Sequence, residues 1–172
     1  MNKVPTAHFS EFIEFFPLLE LPFSLLPDIS KIPTDAVPLP DILLDAYILP
    51  FEGSEVDEFT EYIPYGRIQG TRNYHAIIYW KAGVLQYEFI LATFTLDGQP
   101  ISHAIIGGIV ANEDGMLHSV AVIHENLTIT IAEGVAVEEE ENEDLSQTNT
   151  YEMAVEPSGN IIYETNDEDR EE

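Results

Sequence analysis

From Tyr62 onward the apolar residues recur at every second position, and turn signals break the pattern at short intervals. No other feature of the chain restricts its fold as much. The period marks strands at 62–68, 74–81, 84–96, 100–110, 116–123, 127–137, 150–155 and 160–164. Between them stand Gly70, Ala82-Gly83, Asp97-Gly98, Asn112-Glu113-Asp114-Gly115, His124-Glu125-Asn126 and Pro157-Ser158-Gly159. Asp97-Gly98 is the strongest of these hairpin signals. The connections between the middle strands are too short for a parallel crossover, so the sheet is an antiparallel meander. The fold class is α+β, mainly β, with six to eight strands in an open sheet or a partly closed barrel.

One strand stands out within this pattern. Leu85, Tyr87, Phe89 and Leu91 share one face of 84–96, while Ile90, Ala92 and Phe94 share the other. A strand that is apolar on both sides is central and covered twice. The cover for the second face comes from residues 1–61, a helical and proline-rich arm joined to the sheet region 62–164 in a single domain. Phe9, Phe12, Ile13 and Phe16 fall at helical spacing, with Ser10 as the N-cap and Pro17 as the stop. Pro22, Pro27, Pro33, Pro38 and Pro40 exclude a long helix or a central strand, which leaves an extended covering arm. Residues 41–49 read as a short helix or an edge strand. Ser54 and Asp57 have the spacing of a capping box, and predict a helical turn over 54–61.

Composition narrows the function. The chain has 32 acids against six bases in 172 residues, a net charge of −26. Such a surface repels nucleic acid and anionic membranes and attracts cationic proteins. Two segments concentrate the charge: 133–144 holds seven acids and no base, and 164–172 holds six acids and Arg170. Glu138, Glu139, Glu140, Glu141, Glu143 and Asp144 form an acidic loop (138–149) that is the expected partner-binding segment, and 165–172 is expected to be a disordered acidic tail. The hydrophobic fraction of 45% is that of a folded domain. The absence of Cys, of an export signal and of a long apolar run points to a cytoplasmic protein without membrane contact.

No reactive constellation emerges from the spacing. His8, His75, His103, His118 and His124 do not fall at metal-ligand intervals, so no metal or other cofactor is expected. In the hairpin folded at Asn112–Gly115, His118 pairs nearer Ile109 than His103. Ser102 and Ser119 lack a nucleophile elbow. Gly107-Gly108 lacks a phosphate-loop spacing and marks a bulge, a bend or a close backbone approach. Glu88, between Tyr87 and Phe89, is the exception among the acids. In a covered strand it needs a partner, and Arg67, Arg72 and Lys81 are the only bases in the sheet.

Three stretches carry a resemblance. They are Tyr65-Gly66-Arg67-Ile68, Asn73-Tyr74-His75-Ala76-Ile77-Ile78-Tyr79, and Ala92-Thr93-Phe94-Thr95-Leu96-Asp97-Gly98-Gln99-Pro100-Ile101-Ser102. Together they resemble small bacterial β-meander proteins of unknown function, in which a Phe-x-x-Asp-Gly turn leads into an Ile-Ser strand. The resemblance spans under a quarter of the chain. It implies a hairpin-built sheet and brings no catalytic residue and no ligand.

The expected function is a non-enzymatic acidic protein-binding domain with no catalytic residues. Its most concrete form is an immunity or inhibitor protein against a basic toxin or nuclease. The alternatives are a structural or accessory subunit of a larger assembly, and a small ligand-binding barrel or enzyme with a pocket lined by His75, Glu88, His103 or His118. The oligomeric state is left open.

Overall fold

A computed structural model describes residues 6–27, 37–53, 57–113, 115–136 and 149–164. The period-2 region forms eight strands: β3 (Glu61–Ile68), β4 (Tyr74–Gly83), β5 (Gln86–Thr95), β6 (Pro100–Asn112), β7 (Gly115–Ile123), β8 (Thr128–Ala136), β9 (Asn149–Val155) and β10 (Ile161–Glu164). Consecutive strands pair antiparallel throughout, as the short turns require.

Two further strands come from the N-terminal region, so the sheet has ten strands rather than six to eight. β1 (Leu18–Leu19) lies parallel to β3, and β2 (Phe23–Leu25) lies antiparallel to β7. β7 has room for β2 because β6 pairs with it only from Gly108 to Asn112. The reason is the bulge near Gly107 and Gly108, where the β5–β6 register shifts. Gly108 has φ of 137°, and a Cβ there would stand 2.0 Å from the Tyr87 carbonyl oxygen. Only glycine fits, so the pair is a bend in the sheet, as its sequence context suggested.

The sheet curls over one face and is covered by helices on the other. The first core joins Ile78, Trp80, Phe89 and Leu91 to Ile123, Ile129, Ile131 and Met153, which come from opposite sides of β6 in the strand order. At its rim the Thr93 hydroxyl donates to the Gly159 carbonyl at 2.6 Å, tying the β9–β10 turn back onto β5. The second core places Ile77, Tyr79, Ile90, Ala92 and Phe94 under Phe12, Ile13, Phe16, Leu39, Leu43 and Ile48. β5 is therefore covered twice. The exception is Leu85, which sits in the two-residue turn Val84-Leu85 at 69% exposure and not on a core face.

The helical cover is α1 (Phe9–Glu14), α2 (Asp41–Leu43), a π-helical turn (Leu44–Ile48) and α3 (Leu49–Glu52). Segment 41–49 is thus helical, because Leu43 and Ile48 bury one stripe against the sheet. The N-cap of α1 is His8, whose carbonyl accepts from the Glu11 and Phe12 amides at 3.1 Å. Ser10 lies inside the helix and caps nothing. Described prolines 22, 27, 38 and 40 flank short elements, whereas Pro33 and the centre of the arm lie outside the described residues. No helical turn forms at 57–61. There Asp57 accepts from the Phe59 amide and the Thr60 hydroxyl, a local turn that competes with a helix, and β3 starts at Glu61. Ser54 and Val56 lie outside the described residues. No described helix is long and apolar enough to cross a membrane.

Candidate functional site

Helix α3 ends at Gly53, whose φ of 74° stops it in a conformation that favours glycine. The two residues before it point to different neighbours. Phe51 packs at 5.3 Å on Phe94 and 5.0 Å on His103, inside the aromatic cover. Glu52 reaches the sheet, where its Oε1 accepts from the Tyr79 hydroxyl and its Oε2 from the Lys81 ammonium, both at 2.6 Å.

This pair forms the wall of a cleft of about 330 Å³ that also takes in Asp57, Thr60, Tyr62 and Gln86. The Glu52 side chain is 6% exposed and that of Lys81 26%. The electrostatics follow from burial among acids. Desolvation, then the charges of Glu52 and Asp57, push the Tyr62 hydroxyl up to about 12. Tyr79 is raised further, first by burial and then by its bond to Glu52, with Glu88 adding to the effect. Both tyrosines are thus neutral donors at ordinary pH.

Glu88 belongs to this group but not as the sequence suggested. It lies directly opposite Lys81 across the β4–β5 ladder. Lys81 nevertheless bonds Glu52, and Glu88, 4% exposed, keeps an Oε2 with no partner among the described residues. Among the described residues the expected Glu88 ion pair is therefore absent. The competing acceptor was Glu52, whose approach depends on how α3 packs.

The lining of the cleft is mainly polar, with Val84 as its exposed aliphatic side chain. Glu61 pairs with Ala82, and a Cβ on Gly83 would lie 3.7 Å from the Thr60 hydroxyl. Phe59, two residues before β3, and the Val84-Leu85 turn that follows β4 lie at the same end of the β3–β4 pair. Phe59, Val84 and Leu85 are 69%, 71% and 69% exposed. Leu85 also has φ of 61°, in the left-handed region that a leucine rarely adopts. Its carbonyl accepts from the Ala111 amide at 3.1 Å, which holds the turn in place. From there one row crosses the sheet: Ala111 pairs with Met116, and Met116 with Ala136. At 4.7–4.9 Å per strand the row from Leu85 to Ala136 spans about 14 Å. Met116 is exposed as well, and Glu113 tips the neighbouring turn.

The expected partner-binding residues Glu138, Glu139, Glu140, Glu141, Glu143 and Asp144 lie outside the described residues, as does the tail 165–172. In sequence that run begins two residues after Ala136, the end of this row.

The histidines do not converge. His8 caps α1; His75 stands 5.4 Å from Phe9, and burial followed by the Arg67 charge holds its pKa below the usual value. His118 pairs with Ile109, as its spacing required, and His124 Nε2 lies 2.9 Å from the Thr130 hydroxyl. The Thr130 hydroxyl contacts Glu152 at 3.4 Å, so the chain runs His–Thr–Glu. A nucleophile needs the histidine between hydroxyl and acid. Among the described residues no three metal-ligating side chains gather. A second cleft, of about 390 Å³, is lined by Glu20, Leu21, Gln69, Gly70, Glu125 and Leu127 near the β1–β2 connection. No protein-family model matches the chain, and comparison with curated proteins and with solved structures finds no similar protein.

Proposed function

We propose that this protein is a non-enzymatic binding domain whose acidic surface engages a cationic protein partner. The observation that supports it is the end of the sheet where Phe59, Val84, Leu85 and Met116 stand exposed beside Glu52, Asp57 and Glu113. Exposed apolar side chains clustered beside charge of one sign are the composition of a recognition surface. Among the described residues 17 acids face only Arg67, Arg72 and Lys81, so the partner's matching face is basic. In sequence the run 138–144 follows the end of β8 at Ala136, and in this reading it extends the acidic contact. Steering by such a field accelerates encounter and makes it salt-dependent. An immunity or inhibitor protein that blocks a basic toxin or nuclease in the bacterial cytoplasm is the most concrete form of the proposal.

Cross-linking and affinity capture from the source cell test it. The unaltered protein retains a basic protein at low salt, and the Phe59→Ser/Leu85→Ser double variant loses it while staying folded. Equal retention by both proteins refutes the assignment of this surface.

A further inference from the structure

We propose that Glu52 is the docking point for a guanidinium or ammonium group of the partner, and that Lys81 passes to Glu88 as that group arrives. The inference rests on the reading above of a cationic partner. Two carboxylates, Glu52 and Glu88, share one ammonium, that of Lys81, and the buried Glu88 Oε2 is left bare. A buried carboxylate oxygen without a donor is costly, so among the described residues Glu52 and Glu88 are one cation short.

Geometry says which group moves. Lys81 and Glu88 are directly opposed in the β4–β5 ladder, so their side chains leave the same face of the sheet. Opposed residues have Cβ atoms about 4.5–5.5 Å apart, within reach of a lysine that turns about its own torsions. Glu52 meanwhile stays held by the Tyr79 hydroxyl on its other oxygen. An arriving cation that takes Oε2 of Glu52 therefore leaves Glu52 and Glu88 each with a cation of its own. The cleft gives it a path, with the Tyr62 ring beside it as a surface for a cation. An organic cation fits better than a metal ion, because no three ligating groups converge among the described residues.

Methylguanidinium chloride is the probe, titrated at constant ionic strength against sodium chloride and followed by NMR of the Lys81 ammonium and the glutamate carboxyl carbons. The expected result is a saturable, joint movement of the Lys81 and Glu88 signals in the unaltered protein. In Glu88→Gln the affinity falls about tenfold and the Lys81 signal stays where it was. In Glu52→Gln the saturable response disappears. A response equal to that of sodium chloride overturns the proposal, and the unaltered protein decides this whatever the stability of the variants. So does an unchanged Lys81 movement in Glu88→Gln. A basic protein retained equally by unaltered and Glu52→Gln protein overturns this inference and leaves the protein-binding reading intact. A methylguanidinium response in a protein that retains no basic partner supports the site and overturns that reading instead.

Discussion

Replacing Glu52 by alanine removes the acceptor of two donors at once, and the structure says how the loss divides. The Tyr79 hydroxyl belongs to a residue with no exposed surface, and Glu52 is its hydrogen-bond partner at 2.6 Å. Without it the hydroxyl is a buried donor left unmade, at a cost of about 1–3 kcal/mol. Lys81 is partly exposed and recovers water, or Glu88, so its share is under about 1 kcal/mol. Glu52→Ala is thus expected to cost about 1–4 kcal/mol, a large part of the stability of a domain this size. Tyr79→Phe supplies the control. It removes the donor, leaves the Glu52–Lys81 pair in place, and costs less than Glu52→Ala. In the Tyr79→Phe background the further loss of Glu52 costs only the Lys81 share, so the coupling energy is about 1–3 kcal/mol. Urea unfolding of the four proteins, followed by the fluorescence of the single Trp80, measures the cycle. A coupling energy indistinguishable from zero refutes the claim that Tyr79 and Glu52 are bound in solution.

Three further outcomes are expected. Leu85→Asn raises stability by about 0.5–1 kcal/mol, because Asn tolerates the positive φ that leucine resists, while partner binding weakens; a lower urea midpoint would show that Leu85 serves the fold. Gly108→Ala puts a Cβ 2.0 Å from a carbonyl oxygen at φ of 137°, so the variant is expected to lose cooperative unfolding or several degrees of Tm by calorimetry. Above about pH 10 stability falls, because unfolded tyrosines release protons that Tyr62, raised to about 12, and Tyr79 still hold. Stability from Tyr62 is complete below about pH 10 and gone once the pH passes about 12. Tyr62→Phe flattens the fall in stability measured by unfolding across that window, and an unaltered slope would contradict the burial of this hydroxyl.

The strands were legible because alternation and turn chemistry are local. Val110 and Met116 bound a hairpin that closes with Asn112 opposite Gly115, and Gly107-Gly108 marks a bend that only glycine permits. The double cover of β5 followed from Ile90 and Phe94 alternating with Phe89 and Leu91. The partners of β1 and β2 were not legible, since they lie tens of residues away and a run of two or three apolar residues does not name its neighbour. Glu52 escaped for a similar reason. It is one acid among many, and only the arrest of α3 at Gly53 brings it to Tyr79 and Lys81. The available signal was its place between Pro50 and Gly53, a helix start and a helix stop three residues apart. The Leu85 turn was misplaced because Ala82-Gly83 is the stronger turn dipeptide, whereas the actual turn residues are an apolar pair.

The segment Leu18 to Leu25 reaches β3 with its first residues and β7 with its last. On the ribosome that segment leaves the exit tunnel long before residues 115–123 have been made. It therefore waits, carrying Leu18, Leu19, Leu21, Phe23 and Leu25 without their final neighbours, while the hairpins between β3 and β7 form from nearby pairs. Closing such a long loop comes late and slowly. Synthesis order makes this strap wait for β7, and the interval before it closes leaves its apolar residues open to aggregation or to a chaperone.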